Sequence, residues 1–139
     1  MKNCAFCRIV AGETPAATLY EDEFVLAFLD IAPLNPGHAL VIPKAHHVSS
    51  TTLPPDCAAR LFQVAARLGA AVMRAVDADG FNLLLANGAC AGQAVPHVHV
   101  HVVPRHVDDG LVLPARQRDC ADEAEKREIV EKVKARMKK

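Results

Sequence analysis

Histidine recurs at every second position in His97-Val98-His99-Val100-His101, and few local structures suit that pattern. Successive side chains of a β-strand point to opposite faces. An extended run therefore places the three imidazoles on one face and Val98, Val100 and Val102 on the other. Imidazoles two residues apart lie ~6.6–7 Å apart along such a strand, a spacing suited to shared contact with one compact anion or metal ion. The valine face is fit for burial in a core. Packing alone explains three interleaved histidines poorly.

The rest of the chain bounds the setting. Its 139 residues are enough for one domain with a sizeable core. Sixteen basic residues balance sixteen acidic ones, so composition gives no support to a nucleic-acid or anionic-membrane surface. Met1-Lys2-Asn3-Cys4 lacks the apolar run of a signal peptide, and no stretch approaches a membrane span. The five cysteines, Cys4, Cys7, Cys57, Cys90 and Cys120, are odd in number and scattered except for one pair. They make a poor disulfide framework and fit a reducing cytoplasm, which is the expected location.

Residues 4–10 read as a short helical turn that Gly12 closes and Pro15 prevents from continuing. Thr18–Glu21 and Phe24–Asp30 read as strands, followed by a rigid loop through Pro33, Asn35, Pro36 and Gly37. His38–Ile42 is an apolar strand stopped by Pro43, both faces covered. Leu61, Val64, Ala65, Leu68, Val72 and Val76 recur at three- and four-residue intervals after Pro54-Pro55-Asp56. That spacing predicts an amphipathic helix ending near Asp77. Phe81–Ala86 is a further strand, residues 87–92 form a small-residue loop, and Pro104 is expected to end the histidine strand. A charged helix over 122–139, with Ala124, Val130, Val133 and Met137 as a thin apolar stripe, closes the chain. The expected fold is α+β: an antiparallel sheet with one long helix and short terminal helices.

Two chemistries compete for the histidines. Three neutral imidazoles and a water could make a hydrolytic zinc site, although side chains on a flat strand converge poorly on one ion. Alternatively, one imidazole attacks phosphorus while its neighbours bind phosphate oxygens. Clustered imidazoles depress one another's pKa and keep a neutral nucleophile available. Gly92, which lets backbone approach an anion, and Gln93, an amide donor, favour this second reading. Cys4-x-x-Cys7 alone is weak evidence, and needs two further ligands to make a zinc site.

The segment Gly92-Gln93-Ala94-Val95-Pro96-His97-Val98-His99-Val100-His101-Val102-Val103 resembles the signature of the histidine triad (HIT) superfamily. Further blocks match in order and spacing: 4–13, Glu21-Asp22-Glu23, 27–31 and Gly37-His38-Ala39-Leu40-Val41-Ile42-Pro43-Lys44. The likeness is to bacterial proteins of the Hint branch that keep an N-terminal CxxC, and it covers roughly residues 4–105. It implies a HIT domain over 1–110, an extension with a charged helix over 111–139, and a homodimer whose sheets join.

The resemblance also implies roles. His99 would attack the α-phosphorus of a purine nucleotide conjugate and form a nucleotidyl-histidine that water hydrolyses. His101 and His38 would surround the phosphate, with Gln93 near it. Asp30 would bind the ribose hydroxyls, and Asn87 would lie near ribose and phosphate. Phe6, Ile9, Phe28, Leu29 and Ile31 would line the base pocket, and Gly92, Gln93 and Ala94 the phosphate loop. Cys4, Cys7, His46 and His97 would hold one structural zinc, with no catalytic cofactor. The implied partner is AMP or an AMP conjugate, cleaved as a phosphoramidate, acyl adenylate or dinucleoside polyphosphate. One departure stands out: Ala94 occupies a position that is commonly serine or threonine. A lost hydroxyl costs on the order of 1–3 kcal/mol at a charged acceptor, so an AMP-binding regulatory module with weak catalysis is the alternative.

Overall fold

The computed structural model describes residues 3–112, 118–119 and 122–137, which form two compact units over 1–109 and 110–139. Cys120 and the last two lysines of the expected terminal helix lie outside the described residues.

The first unit contains α1 (Ala5–Val10), β1 (Thr18–Glu21), β2 (Val25–Leu29), β3 (Ala39–Pro43), α2 (Pro55–Ala75), β4 (Gly80–Leu85) and β5 (Val100–Arg105). The five strands form one antiparallel sheet in the order β1-β2-β3-β5-β4. β2 is buried except at Leu29 and β3 is buried throughout, as runs with no polar alternation require. The two sheet faces have different cover. Val25, Ala27, Ala39, Val41, Val98, Val100 and Val102 pack with Leu61, Val64 and Ala65 of α2. Leu26, Phe28, Leu40 and Ile42 pack with Cys4 and Phe6 at α1. Each such leucine, isoleucine or valine contributes about 1.5–3 kcal/mol when fully buried.

Local chemistry fixes the helices. Pro55 opens α2, where a missing N–H costs nothing, and Asp56 lies in its first turn near the positive end of the helix dipole. At Gly69 a β-carbon would collide with the Phe81 ring, so glycine permits the close approach of α2 to β4. α1 begins at Cys4, whose sulfur accepts the Cys7 amide at 3.4 Å.

Two expectations are revised. The ladder of β5 starts only at Val100, so His97 and His99 precede it. There the Val98 amide donates to the His47 carbonyl at 2.7 Å, which ties this segment to the loop after β3. Alternation of faces nevertheless persists, because Val98 is buried with Val100 and Val102. Pro104 does not end the strand but pairs with Phe81 inside it. The β3 ladder stops at Val102, and Asn35 donates to the Pro104 carbonyl at 2.9 Å on the vacated edge, where a missing N–H leaves no gap.

In the second unit, α3 (Glu123–Met137) buries none of its residues; Glu123–Lys126 and Glu128–Lys132 pairs run along it. No helix among the described residues is long and apolar enough to cross a membrane.

Candidate active site

A cavity of about 380 Å³ opens on the α1 side of the sheet. Phe6 and Ile9 reach it from α1, Phe28 and Leu29 from β2, and Asp30 and Ile31 from the turn that follows. His99 and His101 line it from the histidine segment, and Ala94 from the loop before it. All five residues expected at an apolar base pocket therefore share one cavity with two of the triad histidines. Arg8, Thr14, Pro15, Leu40 and Val95 also line it, and sequence reading missed them. Thr14-Pro15 carried a usable signal, since a proline just after the Gly12 stop turns the chain back beside α1.

The histidines differ in which nitrogen is engaged. His99 is 6% exposed, and its Nδ1 lies 2.7 Å from the His97 carbonyl. A carbonyl only accepts, so Nδ1 carries the proton and Nε2 keeps a lone pair. The Phe6 ring lies edge-on to His99 at 5.2 Å, and the His101 ring is 4.9 Å away. Burial, then the neighbouring His99 and His38, pushes the His101 pKa down to about 4, against a smaller upward pull from Asp30. His38 lies behind His101, outside the cavity wall, with its Nε2 2.9 Å from His101 Nδ1. Its Nδ1 takes the Leu34 amide at 3.0 Å, and burial lowers its pKa. Asp30 accepts the Ala32 amide at 2.8 Å through Oδ1 and sets Oδ2 3.5 Å from His38 Nε2.

The carboxamides of Gln93 and Asn87 are both engaged within the fold. Gln93 accepts the Gly88 amide at 2.8 Å and donates to the Val48 carbonyl at 2.7 Å. Asn87 accepts the Ser50 amide at 2.8 Å and donates to the Ser50 hydroxyl at 2.8 Å. Both carboxamides thus brace the 87–93 loop against residues 48–50. Gly92 has φ of +101° with open space where a β-carbon would stand, so its backbone angle is what favours glycine.

A second cluster adjoins the first. Cys4 Sγ lies 3.4 Å from His97 Nδ1, Cys7 Sγ 3.6 Å from the same atom and 3.2 Å from His46 Nδ1. All four donor atoms fall within 4.8 Å of one another. Zinc held tetrahedrally at ~2.0–2.3 Å separates its donors by roughly 3.3–3.8 Å, so these residues could hold such an ion. His97 is fully buried and its Nε2 donates to the Pro43 carbonyl at 2.8 Å, which leaves Nδ1 free to ligate. Burial raises the Cys7 thiol pKa and lowers that of His97. His47 takes no part: its Nδ1 lies 3.3 Å from Thr52 Oγ1.

A model of the HIT domain matches residues 11–108. The chain belongs to the HIT family. It is 40% identical over 118 residues to "Adenylylsulfatase HINT3" of Arabidopsis thaliana, covering 85% of this chain and 55% of that protein. The chain thus spans little more than half the length of that relative. It is 41% identical over 103 residues to "Adenosine 5'-monophosphoramidase hnt1" of Schizosaccharomyces pombe, covering 74% of each. Among solved structures it is similar to a zinc-bound histidine triad family protein from Mycobacterium smegmatis. That match has a TM-score of 0.77 and 39% identity, and covers 96% of this chain and 97% of that one.

Proposed function

We propose that this chain is a nucleotide-directed hydrolase or transferase acting at the α-phosphorus of a purine nucleotide conjugate. The observation that carries the reading is the 2.7 Å contact from His99 Nδ1 to the His97 carbonyl, which leaves a nucleophilic Nε2 lone pair in a cavity with Asp30 and an apolar wall. In the first step a bond forms from Nε2 to phosphorus as the bond to the leaving group breaks. Water then cleaves the nucleotidyl-histidine and releases the nucleotide. His101 donates to the phosphate oxygens as charge builds there. Asp30 takes the ribose hydroxyls, and the base lies among Phe6, Ile9, Phe28, Leu29 and Ile31. Gln93 and Asn87 serve by bracing the loop of Gly92 and Ala94 beside the phosphate. The names of the plant and yeast relatives support AMP-linked substrates.

Cys4, Cys7, His46 and His97 form a structural zinc site with no open position in this reading. The ion ties α1, which carries Phe6 and Ile9, to the histidine segment. The functional unit is residues 1–110, with 111–139 as an extension. β4 ends the sheet, and Leu84, Leu85 and Phe62 are exposed beside its open edge, so a second copy of the chain is the proposed occupant. The proposed location is the cytoplasm, a reading that the unpaired thiols of Cys4, Cys7, Cys57 and Cys90 support.

Incubation with adenosine 5′-phosphoramidate, adenylyl sulfate, acyl adenylates and dinucleoside polyphosphates tests the reading. AMP release and an acid-labile nucleotidyl adduct on His99 are expected. No turnover of any of them, or an adduct elsewhere, overturns it. Ala94 on the cavity wall favours one second reading, an AMP-binding regulatory module. Tight AMP binding with negligible turnover would decide for that module.

A further inference from the structure

Beyond Asp30 and Ile31, the loop between β2 and β3 lines no part of the cavity, yet one of its amides contacts the histidine behind it. Leu34 N–H lies 3.0 Å from His38 Nδ1. Leu34 is 49% exposed, and its contact with His38 is made by the backbone. We propose that the Leu34 amide is a positioning group for the triad: it fixes His38 as the Nε2–H tautomer, and His38 thereby fixes His101 as the Nε2–H tautomer.

An amide nitrogen donates and never accepts, so His38 Nδ1 must present a lone pair. A neutral imidazole then has its proton on Nε2. That atom lies 2.9 Å from His101 Nδ1, with Asp30 Oδ2 at 3.5 Å as a second acceptor. His101 Nδ1 therefore accepts, and the one proton of a neutral His101 resides on Nε2. The burial that depresses both pKa values keeps both rings neutral. His99 is fixed in the opposite sense, with its proton on Nδ1. Two neighbouring rings thus present a lone pair and an N–H from the same ring position, which a nucleophile beside a phosphate-binding donor requires. Were His38 free to turn its proton to Nδ1, His101 would offer the phosphate oxygens a lone pair instead.

The loop is built to hold that amide in place. Asn35 donates from one nitrogen to the Pro104 carbonyl at 2.9 Å and to Asp109 Oδ2 at 3.1 Å. Arg105 also holds Asp109, with its Nε 2.8 Å from Oδ2. The Asn35 carbonyl accepts the His38 amide at 3.0 Å. Gly37, at φ of +92°, lies so close to α2 that a β-carbon would stand 3.0 Å from Val72 Cγ1. Asn35 therefore acts on the reaction at second hand, as the latch of the loop that carries the Leu34 amide.

The proposal deepens the function read above and rests on it for any effect on rate, but its readout needs no turnover. In uniformly 15N-labelled, zinc-loaded protein, through-bond 15N–15N couplings are expected from Leu34 N to His38 Nδ1 and from His38 Nε2 to His101 Nδ1. Imidazole spectra should place protons on His38 Nε2, His101 Nε2 and His99 Nδ1. A proton on Nδ1 of either His38 or His101 in the unmodified protein overturns the proposal. Leu34→Ala should leave both couplings in place. Leu34→Pro, which removes the donor, should mix the His38 and His101 tautomers and lower kcat roughly tenfold with KM little changed. Asn35→Ala, a milder change, should weaken the Leu34–His38 coupling and speed exchange of that amide hydrogen. Unaltered tautomers in both Leu34→Pro and Asn35→Ala overturn the proposal. Intact couplings without turnover would sink the catalytic reading alone, whereas turnover without couplings would sink only this one.

Discussion

His97 and His99 are two residues apart on one face of the chain, buried, and each bonded to a backbone carbonyl, yet they use opposite nitrogens. His97 gives Nε2 to Pro43 and turns Nδ1 to two sulfurs, whereas His99 gives Nδ1 to His97 and keeps Nε2 for the cavity. Around His97, four donors converge within 4.8 Å, a closed set that suits a structural ion. Around His99, an apolar wall and one carboxylate leave room for a ligand. Residue type does not distinguish a ligand from a nucleophile here. The backbone acceptor nearest each ring does, because it selects the nitrogen that remains free.

The largest effect expected from that contrast is a double dissociation. His99→Ala should lower turnover of AMP conjugates by on the order of 10⁴-fold or more while AMP still binds and the melting temperature shifts by only a few degrees. Steady-state kinetics beside calorimetry check it. A variant that unfolds, or one that retains full activity, would break the division of labour between the two histidines.

The reverse experiment touches the other cluster. Removing metal with a chelator, or replacing Cys7 by serine, should cost a few kcal/mol, which is roughly 10–20 °C in Tm for a unit of this size. Activity of the molecules still folded should persist. If turnover is lost at once, returns only with metal and the melt is unchanged, the ion belongs to the chemistry and the contrast collapses.

Acid separates the clusters more finely. The folded His101 pKa is about 4, below the unfolded value of about 6.5, so between those limits the unfolded state binds more protons. Stability is full above about 6.5 and falls as pH drops toward 4, by on the order of 2–3 kcal/mol. The zinc ligands also shed metal in acid, so the useful quantity is a difference. Zinc-loaded His101→Asn should lose less stability than the parent between neutral pH and pH ~4.5. Equal losses would show that His101 is not held neutral. Asp22 responds lower down: burial raises its carboxyl, but the Val25 and Phe24 amides, then Arg60 and Tyr20, outweigh this and hold it well below the usual range. Its contribution is therefore present above the ordinary carboxylate pKa and is lost only in stronger acid.

Much of this arrangement was legible in the sequence, for identifiable reasons. Apolar runs without alternation marked β2 and β3, and the three- and four-residue spacing from Leu61 to Val72 marked α2. The histidine alternation separated valine face from imidazole face even where no ladder forms. The partners of Gln93 and Asn87 were not legible. A carboxamide bonds whichever backbone groups folding leaves unpaired near it, and Val48, Gly88 and Ser50 became its neighbours only in the folded chain. The Leu34 amide carried no signal at all, because every residue except proline has one. Which histidine nitrogen is free is a tertiary fact of the same kind.

Ala94 carries the smallest expected effect and refines the boundary of the reactive cluster. It lines the cavity on the loop that Gln93 and Asn87 brace, so a hydroxyl at this position should come within reach of the phosphate or the leaving group. A hydrogen bond to a charged acceptor contributes about 1–3 kcal/mol when it forms fully, but serine must also give up its bond to water. Ala94→Ser is therefore expected to raise kcat roughly three- to tenfold on AMP conjugates. A gain in kcat with KM unchanged would mean that the hydroxyl bonds the transition state more strongly than the bound substrate. A fall in KM alone would mean equal help to both, and would move Ala94 from the reacting centre to the bound nucleotide. No change in either would separate the loop from the phosphate, leaving His99 and His101 as the only groups of the reactive cluster that face it.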